Sequence, residues 1–289
     1  MKKAISVVVL IISVVLIGLI PVKPKEKPPA QPLEAEENTK IILTGFALSP
    51  KSSEGKDLLD YFDRIKNTSK VVSWTGKVED LKNSKSSAYA VTTLAQNYDY
   101  TPIIITDRVD KQLLLDFAGK VKPPYLGVGN EINRGKVADI QKFAKDFEEI
   151  YPEIKNVSPD TKIFPVFQLE ILDWQLMDLF PKADAIAFTT YPSLIYKTLP
   201  EIPEDHYSAI KTHTEKPILF TEVGWPNESD EKEQSDFINF FKENVKILEP
   251  EVTLWTFMYD QNVQKPFDRM GLIDKSGKEK KGWRTWIEK

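Results

Sequence analysis

Two glutamates stand in similar positions, each directly after a short apolar segment that predicts a β-strand. Glu131 follows the segment 125–129, and Glu222 follows the segment 218–221. Two carboxyl groups that face each other can cleave a glycosidic bond. One of them protonates the leaving oxygen, and the other, in its ionised form, attacks the anomeric carbon or directs water to it. These tasks need opposite protonation states, so the surroundings of the two groups must separate their pKa values.

The elements that must position these side chains begin at residue 40. Short apolar segments alternate there with amphipathic helical patterns, in which apolar residues recur every three or four positions, as at Ile140, Phe143, Ala144, Phe147 and Ile150. The predicted strands are 41–46, 71–74, 103–106, 125–129, 163–167, 185–189, 218–221 and 252–257. Eight strands, each followed by a helix, in about 250 residues predict an α/β fold of the (β/α)₈ or TIM-barrel type. A doubly wound open sheet fits less well, because the first turn has no Gly-rich phosphate-binding pattern.

The barrel prediction brings the two glutamates together. Active sites of such barrels lie at the carboxyl ends of the strands. Glu131 ends the fourth predicted strand and Glu222 ends the seventh, so the two lie on opposite sides of the barrel mouth. We therefore expect them to face each other across one cleft.

Composition excludes several other classes of function. The chain has no cysteine, only two histidines and a net charge of −4. A disulfide scaffold, a thiol nucleophile and a His-rich metal cluster are therefore excluded, and nucleic-acid binding, which needs a basic face, is not expected. The proposed chemistry needs neither a metal nor an organic cofactor.

The first 39 residues predict a membrane anchor and a tether rather than part of the barrel. Lys2 and Lys3 precede an apolar run that ends at Ile20, which predicts an uncleaved anchor, with a cleaved signal peptide as the alternative. Residues 21–39 are rich in proline and charge and predict an extended linker. The lysines should stay inside, so the catalytic barrel, residues 40–289, should be exported and either anchored at the cell surface or secreted. We expect a monomer that touches the membrane through the N-terminal segment alone.

Several motifs then resemble glycoside hydrolase clan A, and in detail its family 17, the β-1,3-glucanase type. They are Gly129-Asn130-Glu131-Ile132, Tyr191-Pro192, Glu222-Val223-Gly224-Trp225-Pro226, the stretch from Phe257 to Pro266 and Gly271-Leu272-Ile273-Asp274. The galactanase family is a near relative by the same motifs. The resemblance implies that Glu131 is the acid/base and Glu222 the nucleophile. One departure is Gln261, which stands where the family pattern usually has a second acid after Asp260.

Four further residues are candidates for substrate binding. Asn130 adjoins the proposed acid and can hydrogen-bond the sugar 2-hydroxyl. Tyr191 ends the sixth predicted strand and can donate its hydroxyl to Glu222, which favours the ionised carboxylate. Trp225 and Trp255 can stack on sugar rings, and His206 and His213 are expected to be surface or packing residues.

These observations predict a retaining glycoside hydrolase that cleaves β-linked glycans, of the β-glucan or β-galactan type, by double displacement. Its partner is a polysaccharide or oligosaccharide substrate. Two alternatives stay open. A transglycosylase would use the same residues with a sugar hydroxyl as the acceptor, and a glycan-binding surface barrel would have no catalytic activity.

Overall fold

The computed structural model describes residues 42–227 and 231–288. The predicted anchor, residues 1–20, and the predicted linker, residues 21–39, lie outside the described residues. Within the described ranges, none of the helices combines the length and the apolar character needed to cross a membrane.

The described residues form a barrel of parallel strands. Nine strands are present: β1 (Leu43–Ala47), β2 (Val71–Gly76), β3 (Thr101–Thr106), β4 (Tyr125–Val128), β5 (Lys162–Phe164), β6 (Val166–Gln168), β7 (Ile186–Thr190), β8 (Ile218–Val223) and β9 (Val252–Trp255). Their order is β5-β4-β3-β2-β1-β9-β8-β7-β6, and every paired neighbour is parallel. The TIM-barrel prediction is confirmed.

The ninth strand arises because Pro165 divides the predicted fifth strand. Proline has no N–H to donate to a strand ladder. β5 therefore pairs with β4, whereas β6, directly after the proline, pairs with β7. β5 and β6 therefore lie at the two ends of the sheet order and together occupy one position around the barrel, between β4 and β7. We call each such position a stave, so the barrel has eight staves, of which β5 and β6 form the fifth.

Helices surround most of the barrel, but a helix does not follow every strand as predicted. The seven α-helices of the described ranges are α1 (Gly55–Ile65), α2 (Ser87–Tyr98), α3 (Lys111–Val121), α4 (Val137–Val157), α5 (Ile210–His213), α6 (Glu231–Val245) and α7 (Lys281–Ile287). The expectation of a helix after each strand is wrong for the fifth stave, which is followed by the 3₁₀ turns Leu169–Ile171 and Trp174–Leu179. After β7 only the four-residue α5 forms.

Alternation of side chains along the strands produces two apolar layers. Leu219 and Leu254, for example, belong to a buried cluster inside the barrel, whereas Phe220 and Trp255, the next residues along their strands, belong to the larger cluster between strands and helices. Strands that are buried on both faces explain the continuous apolar segments in the sequence. The barrel interior is therefore filled, and the carboxyl ends of its strands remain available for a site.

Candidate active site

The loop after β4 presents Glu131 in an uncommon backbone conformation. Gly129 has φ +81°, and a Cβ atom there would lie 2.4 Å from the ring of Phe143, so only glycine fits. Glu131 itself is left-handed, with φ 49° and ψ 46°, directly before the 3₁₀ turn Ile132–Arg134. A non-glycine residue in this region costs on the order of 1 kcal/mol and persists where the surroundings impose it.

Asn133 fixes that turn against the neighbouring stave. Its side-chain amide donates to the carbonyl oxygen of Gln168 at 2.8 Å, and its Oδ1 accepts from the backbone N–H of Gln168 at 2.7 Å. Both residues are buried. The pair of hydrogen bonds holds the Glu131 loop to the end of β6.

The Glu131 carboxyl has one partner on each oxygen. Thr189 of β7 donates its hydroxyl to Oε1 at 2.8 Å, and Arg134 donates to Oε2 at 2.7 Å. The Glu131 side chain is 15% exposed, whereas the Arg134 side chain is 63% exposed. The carboxyl therefore reaches the cleft with a hydrogen-bond donor on each oxygen and an exposed cation on its solvent side.

A β-bulge in β8 decides the direction of Glu222. Phe188 of β7 lies opposite Phe220, but Thr189 lies opposite Glu222, so Thr221 is an extra residue in the register. In a regular strand, Glu222 would point to the same face as Phe220, which packs outside the barrel. The bulge reverses that parity, as bulges beside active sites commonly do.

The partner of Glu222 in the register identifies the face to which it turns. Thr189 has the same parity as Ala187, which belongs to the cluster inside the barrel. Opposite β9 the register shifts in the same way, between Phe220 and Val223. The Glu222 side chain consequently points into the barrel at the carboxyl ends of the strands, where it faces the same cleft as Glu131.

Three neighbours and burial set the electrostatics of Glu222. Burial raises the pKa of its carboxyl to about 7. A hydrogen bond from Tyr191 opposes the rise, the charge of Glu131 adds to it, and a hydrogen bond from the Asn130 side chain opposes it. The two glutamates are therefore electrostatically coupled, and Glu222 titrates near neutral pH.

Tyr191 donates its hydroxyl to Glu222, which is the contact expected from the sequence. The same hydroxyl lies 2.8 Å from Oγ1 of Thr256. The ring is 3% exposed and meets Phe267 edge to face with centroids 5.2 Å apart. Gly224 leaves room for it, because a Cβ there would lie 2.7 Å from the ring.

A cleft of about 440 Å³ at the barrel mouth contains both carboxyl groups. Glu131, Glu222 and Tyr191 line it, as expected. Arg134, Gln168 and Phe257 also line it, and none of them was among the residues predicted for the site. Gln168 directly follows the predicted strand 163–167, and Phe257 is the last residue of the predicted strand 252–257. Both therefore stand at strand ends, as the two glutamates do, and this position was the available signal.

The two tryptophans expected to stack on sugar lie in the core instead, so that part of the prediction is wrong. Trp255 has no exposed surface and donates its indole N–H to the carbonyl of Met270 at 2.8 Å. Trp225 is 1% exposed and stacks on Phe237 at 4.9 Å. Trp255 has the outward parity of β9, whereas Phe257, beyond the strand end, is one of the aromatic side chains that line the cleft.

The two histidines lie away from the Glu131–Glu222 cleft. His213 stacks on Trp174, with ring centroids 4.6 Å apart. The His206 side chain is 8% exposed and lies 3.7 Å from a carboxylate oxygen of the buried Glu170. Among residues 42–227 and 231–288, there is no cluster of three or more His, Cys, Asp or Glu side chains arranged to hold a metal ion.

Comparison with known proteins supports the fold. No protein-family model matches the sequence, and no curated protein matches it. Among solved structures, the chain resembles an exo-β-1,4-mannosidase from Opitutaceae bacterium strain TAV5, with a TM-score of 0.65 and 13% identity over 86% of this chain. It also resembles the GH53 catalytic domain of Ignisphaera aggregans, with a TM-score of 0.60 and 13% identity over 85% of this chain.

A third likeness is to xylanase 10B from Thermotoga petrophila RKU-1, with a TM-score of 0.60 and 13% identity over 84% of this chain. The chain spans 58% of the length of the mannosidase and 48% of a β-glucuronidase from Faecalibacterium prausnitzii, but 95% of the GH53 domain and 92% of the xylanase. At these identities the likeness establishes the fold, a TIM barrel of the kind on which glycosidases are built.

Proposed function

We propose that this protein is a retaining glycoside hydrolase that acts on β-linked glycans. One observation carries the proposal. Glu131 and Glu222 come from opposite sides of the barrel and line one cleft, and each has its own hydrogen-bond donors. Two carboxyl groups with different surroundings at the barrel mouth are the arrangement that glycosidic cleavage needs.

Glu222 is the nucleophile in this proposal. Its carboxylate attacks the anomeric carbon as the bond from that carbon to the leaving oxygen breaks, which gives a glycosyl-enzyme. The hydrogen bonds from Tyr191 and Asn130 favour the ionised form. A proton on Glu131 removes the negative charge that opposes ionisation of Glu222. The repulsion between the two carboxylates thus disfavours a doubly charged cleft, and the proposal requires that the proton lie on Glu131 when the sugar is bound.

Glu131 is the acid/base. It gives its proton to the leaving oxygen, and then takes a proton from the water that releases the sugar from Glu222. In the free cleft Arg134 occupies one oxygen of this carboxyl. Because Arg134 is largely exposed, the leaving sugar can displace it from the carboxyl. Thr189 keeps its own hydrogen bond to the other oxygen during this exchange.

Two residues are suited to hold the sugar. Oδ1 of Asn130 is buried and has no hydrogen-bond partner among the described residues, so it can accept from a sugar hydroxyl. Phe257 offers a partly exposed ring at the cleft, and such a ring packs against the apolar C–H face of a pyranose. Together they would place the anomeric carbon between the two carboxyl groups.

The substrate class is a β-glycan of the glucan or galactan type. The family 17 motifs and the near relationship to galactanases support this choice. The names of the solved structures with the same barrel, an exo-β-1,4-mannosidase and a xylanase among them, also denote enzymes acting on glycans. We further propose export, with the N-terminal segment as the membrane anchor, and a monomeric barrel.

The experiment uses the chain from residue 40 on a panel of β-1,3-glucan, β-1,4-galactan, β-1,4-mannan and xylan. Hydrolysis of at least one polymer is expected, with the β-anomer as the first product in proton NMR. An α-anomer would contradict retention. Products longer than the starting oligosaccharide would show transglycosylation. Binding without cleavage by the wild type, unchanged in Glu222→Gln, would show a non-catalytic glycan-binding barrel.

A further inference from the structure

Glu170 is a buried carboxylate that the proposed chemistry does not use. It follows β6 in the turn Leu169–Ile171, and its side chain has no exposed surface. Oε1 accepts from the hydroxyl of Thr190 at 2.7 Å and from the backbone N–H of Tyr191 at 2.8 Å. Oε2 has no hydrogen-bond partner among the described residues.

Burying Glu170 in these surroundings costs free energy that a residue needed only for packing would not cost. Nε2 of His206 lies 3.7 Å from Oε1, beyond hydrogen-bond distance, and is itself buried without a partner among the described residues. Two tyrosines are also on that side: Tyr207, whose hydroxyl lies 3.3 Å from that of Thr190, and Tyr196, whose ring meets that of His206 edge to face. Removing a carboxylate from water costs several kcal/mol unless its hydrogen bonds are complete, and an apolar residue of similar volume avoids that cost.

The contacts of Glu170 lead directly to the proposed nucleophile. It holds the backbone at Thr190 and Tyr191, the point where β7 ends. The Tyr191 ring projects from there and donates its hydroxyl to Glu222. A β-strand end has no further ladder partner to fix its backbone, so the carboxylate supplies the acceptor that the backbone N–H of Tyr191 would otherwise lack.

We propose that Glu170 is a positioning residue, which fixes the Thr190–Tyr191 backbone and thereby holds the Tyr191 hydroxyl on Glu222. Its role in catalysis rests on the proposed function, but its effect on Glu222 does not. Glu170 touches neither the substrate nor the reacting atoms. It acts through Tyr191, and Glu131 and Arg134 are the charged groups that face the same cleft from the β4 side.

The test measures the midpoint at which Glu222 titrates, by NMR of protein with ¹³C-labelled Glu carboxyl groups, assigned with Glu222→Gln. Tyr191→Phe removes the donor to the carboxylate and should raise the midpoint by about one pH unit. Glu170→Leu should raise it by a similar amount, because the Tyr191 hydroxyl is no longer held. Glu170→Gln keeps an acceptor oxygen and should restore a midpoint near that of the wild type.

The double variant Glu170→Leu/Tyr191→Phe should shift the midpoint no further than Tyr191→Phe alone, since both act through one hydrogen bond. The matched control is Thr161→Val. It removes a buried hydrogen bond, 2.6 Å from the Pro123 carbonyl, at the opposite end of the barrel. Its melting temperature should fall without a change in the midpoint.

A loss of melting temperature in Glu170→Leu with an unchanged midpoint would overturn the proposal and leave Glu170 with a purely structural role. If Glu170→Leu does not fold, Thr190→Val removes one of the two donors to Glu170 and should still raise the midpoint, whereas no shift would refute the proposal. The NMR titration needs no substrate. A wild type that cleaves no β-glycan would refute the proposed function and leave this result intact.

Discussion

Thr189 lies opposite Glu222 in the register between β7 and β8, and its hydroxyl donates to Glu131 at 2.8 Å. One residue of β7 is therefore the neighbour of both carboxyl groups. The relationship exists because the extra residue at position 221 turns Glu222 to the face on which Thr189 lies. Both glutamates are thus positioned against the same residue, although they are 91 positions apart in the sequence and three strands, β5, β6 and β7, lie between them along the chain.

The division of labour between the glutamates predicts opposite responses to azide. Glu222→Ala should abolish retaining hydrolysis, because no covalent intermediate can form. Glu131→Ala should cleave natural glycans about 10²–10⁴-fold more slowly but lose much less in the first step on an activated aryl glycoside, which needs little protonation. Azide should restore turnover of Glu131→Ala and give the β-glycosyl azide, identified by NMR.

The Glu222 variant should give only the α-azide, by direct attack. Exchange of the two phenotypes would reverse the assignment of nucleophile and acid/base. Wild-type rates in both variants on a glycan that the native protein cleaves would remove both residues from the mechanism.

The raised pKa of Glu222 predicts an acid limb in the activity profile. Because the nucleophile must be ionised and burial raises its pKa to about 7, kcat/KM should fall tenfold per pH unit below that value. In Tyr191→Phe the limb should move to higher pH, since the hydrogen bond that favours the charged form is gone. Initial rates from pH 4 to 9 provide the measurement, and a flat profile between pH 5 and 7 would contradict it.

The same pKa predicts a stability cost at neutral and alkaline pH. The folded-state pKa lies above the ordinary value of 4.5, so the stabilising contribution of the protonated carboxyl is complete below pH 4.5 and is lost as the pH rises through about 7. The full shift corresponds to about 3 kcal/mol, which water in the open cleft reduces. Glu222→Gln should therefore unfold at higher urea concentration than the wild type at pH 8, with the difference shrinking towards pH 4.5.

Phe257 and Trp255 form a matched pair that separates substrate contact from packing. Phe257→Ala should raise KM by about tenfold or more, through the loss of apolar contact with the sugar, and should change stability little. Trp255→Ala should destabilise the fold by about 3–5 kcal/mol, because its indole is fully buried. Urea unfolding and steady-state kinetics of both variants test this. An unchanged KM in Phe257→Ala would exclude that ring as a sugar platform.

The N-terminal segment predicts membrane attachment. The full-length protein should sediment with membranes because of the apolar run up to Ile20, and the chain beginning at residue 40 should stay in the supernatant, folded and active. Fractionation followed by thermal unfolding of the truncated protein measures both properties. A truncated chain that does not fold would show that the linker belongs to the barrel, and a processed N-terminus in exported protein would favour a cleaved signal peptide.

Much of the architecture was readable from the sequence because it depends on local periodicity. Apolar segments separated by amphipathic stretches predict strands and helices without knowledge of their partners. The segment after the fifth stave could not be predicted in this way, because it forms 3₁₀ turns where a helix was expected. Pro165 divides that stave, and the 3₁₀ turns that follow it pack Met177 and Phe180 into the core with too few residues for a helical pattern.

The sequence by itself determined the barrel and the placement of Glu131 and Glu222 at the ends of its strands, because a strand's end and the carboxylate beside it are local features. The tertiary structure decided which way side chains point. Strand alternation has a period of two, so one unpaired residue at Thr221 reverses the face of Glu222 and leaves no trace in composition or spacing. The outward parity of β9 buries Trp255, whereas Phe257, two residues beyond the end of that strand, lines the cleft. The contact between Glu170 and Tyr191 joins residues of neighbouring staves, and such contacts exist only once the strands pair.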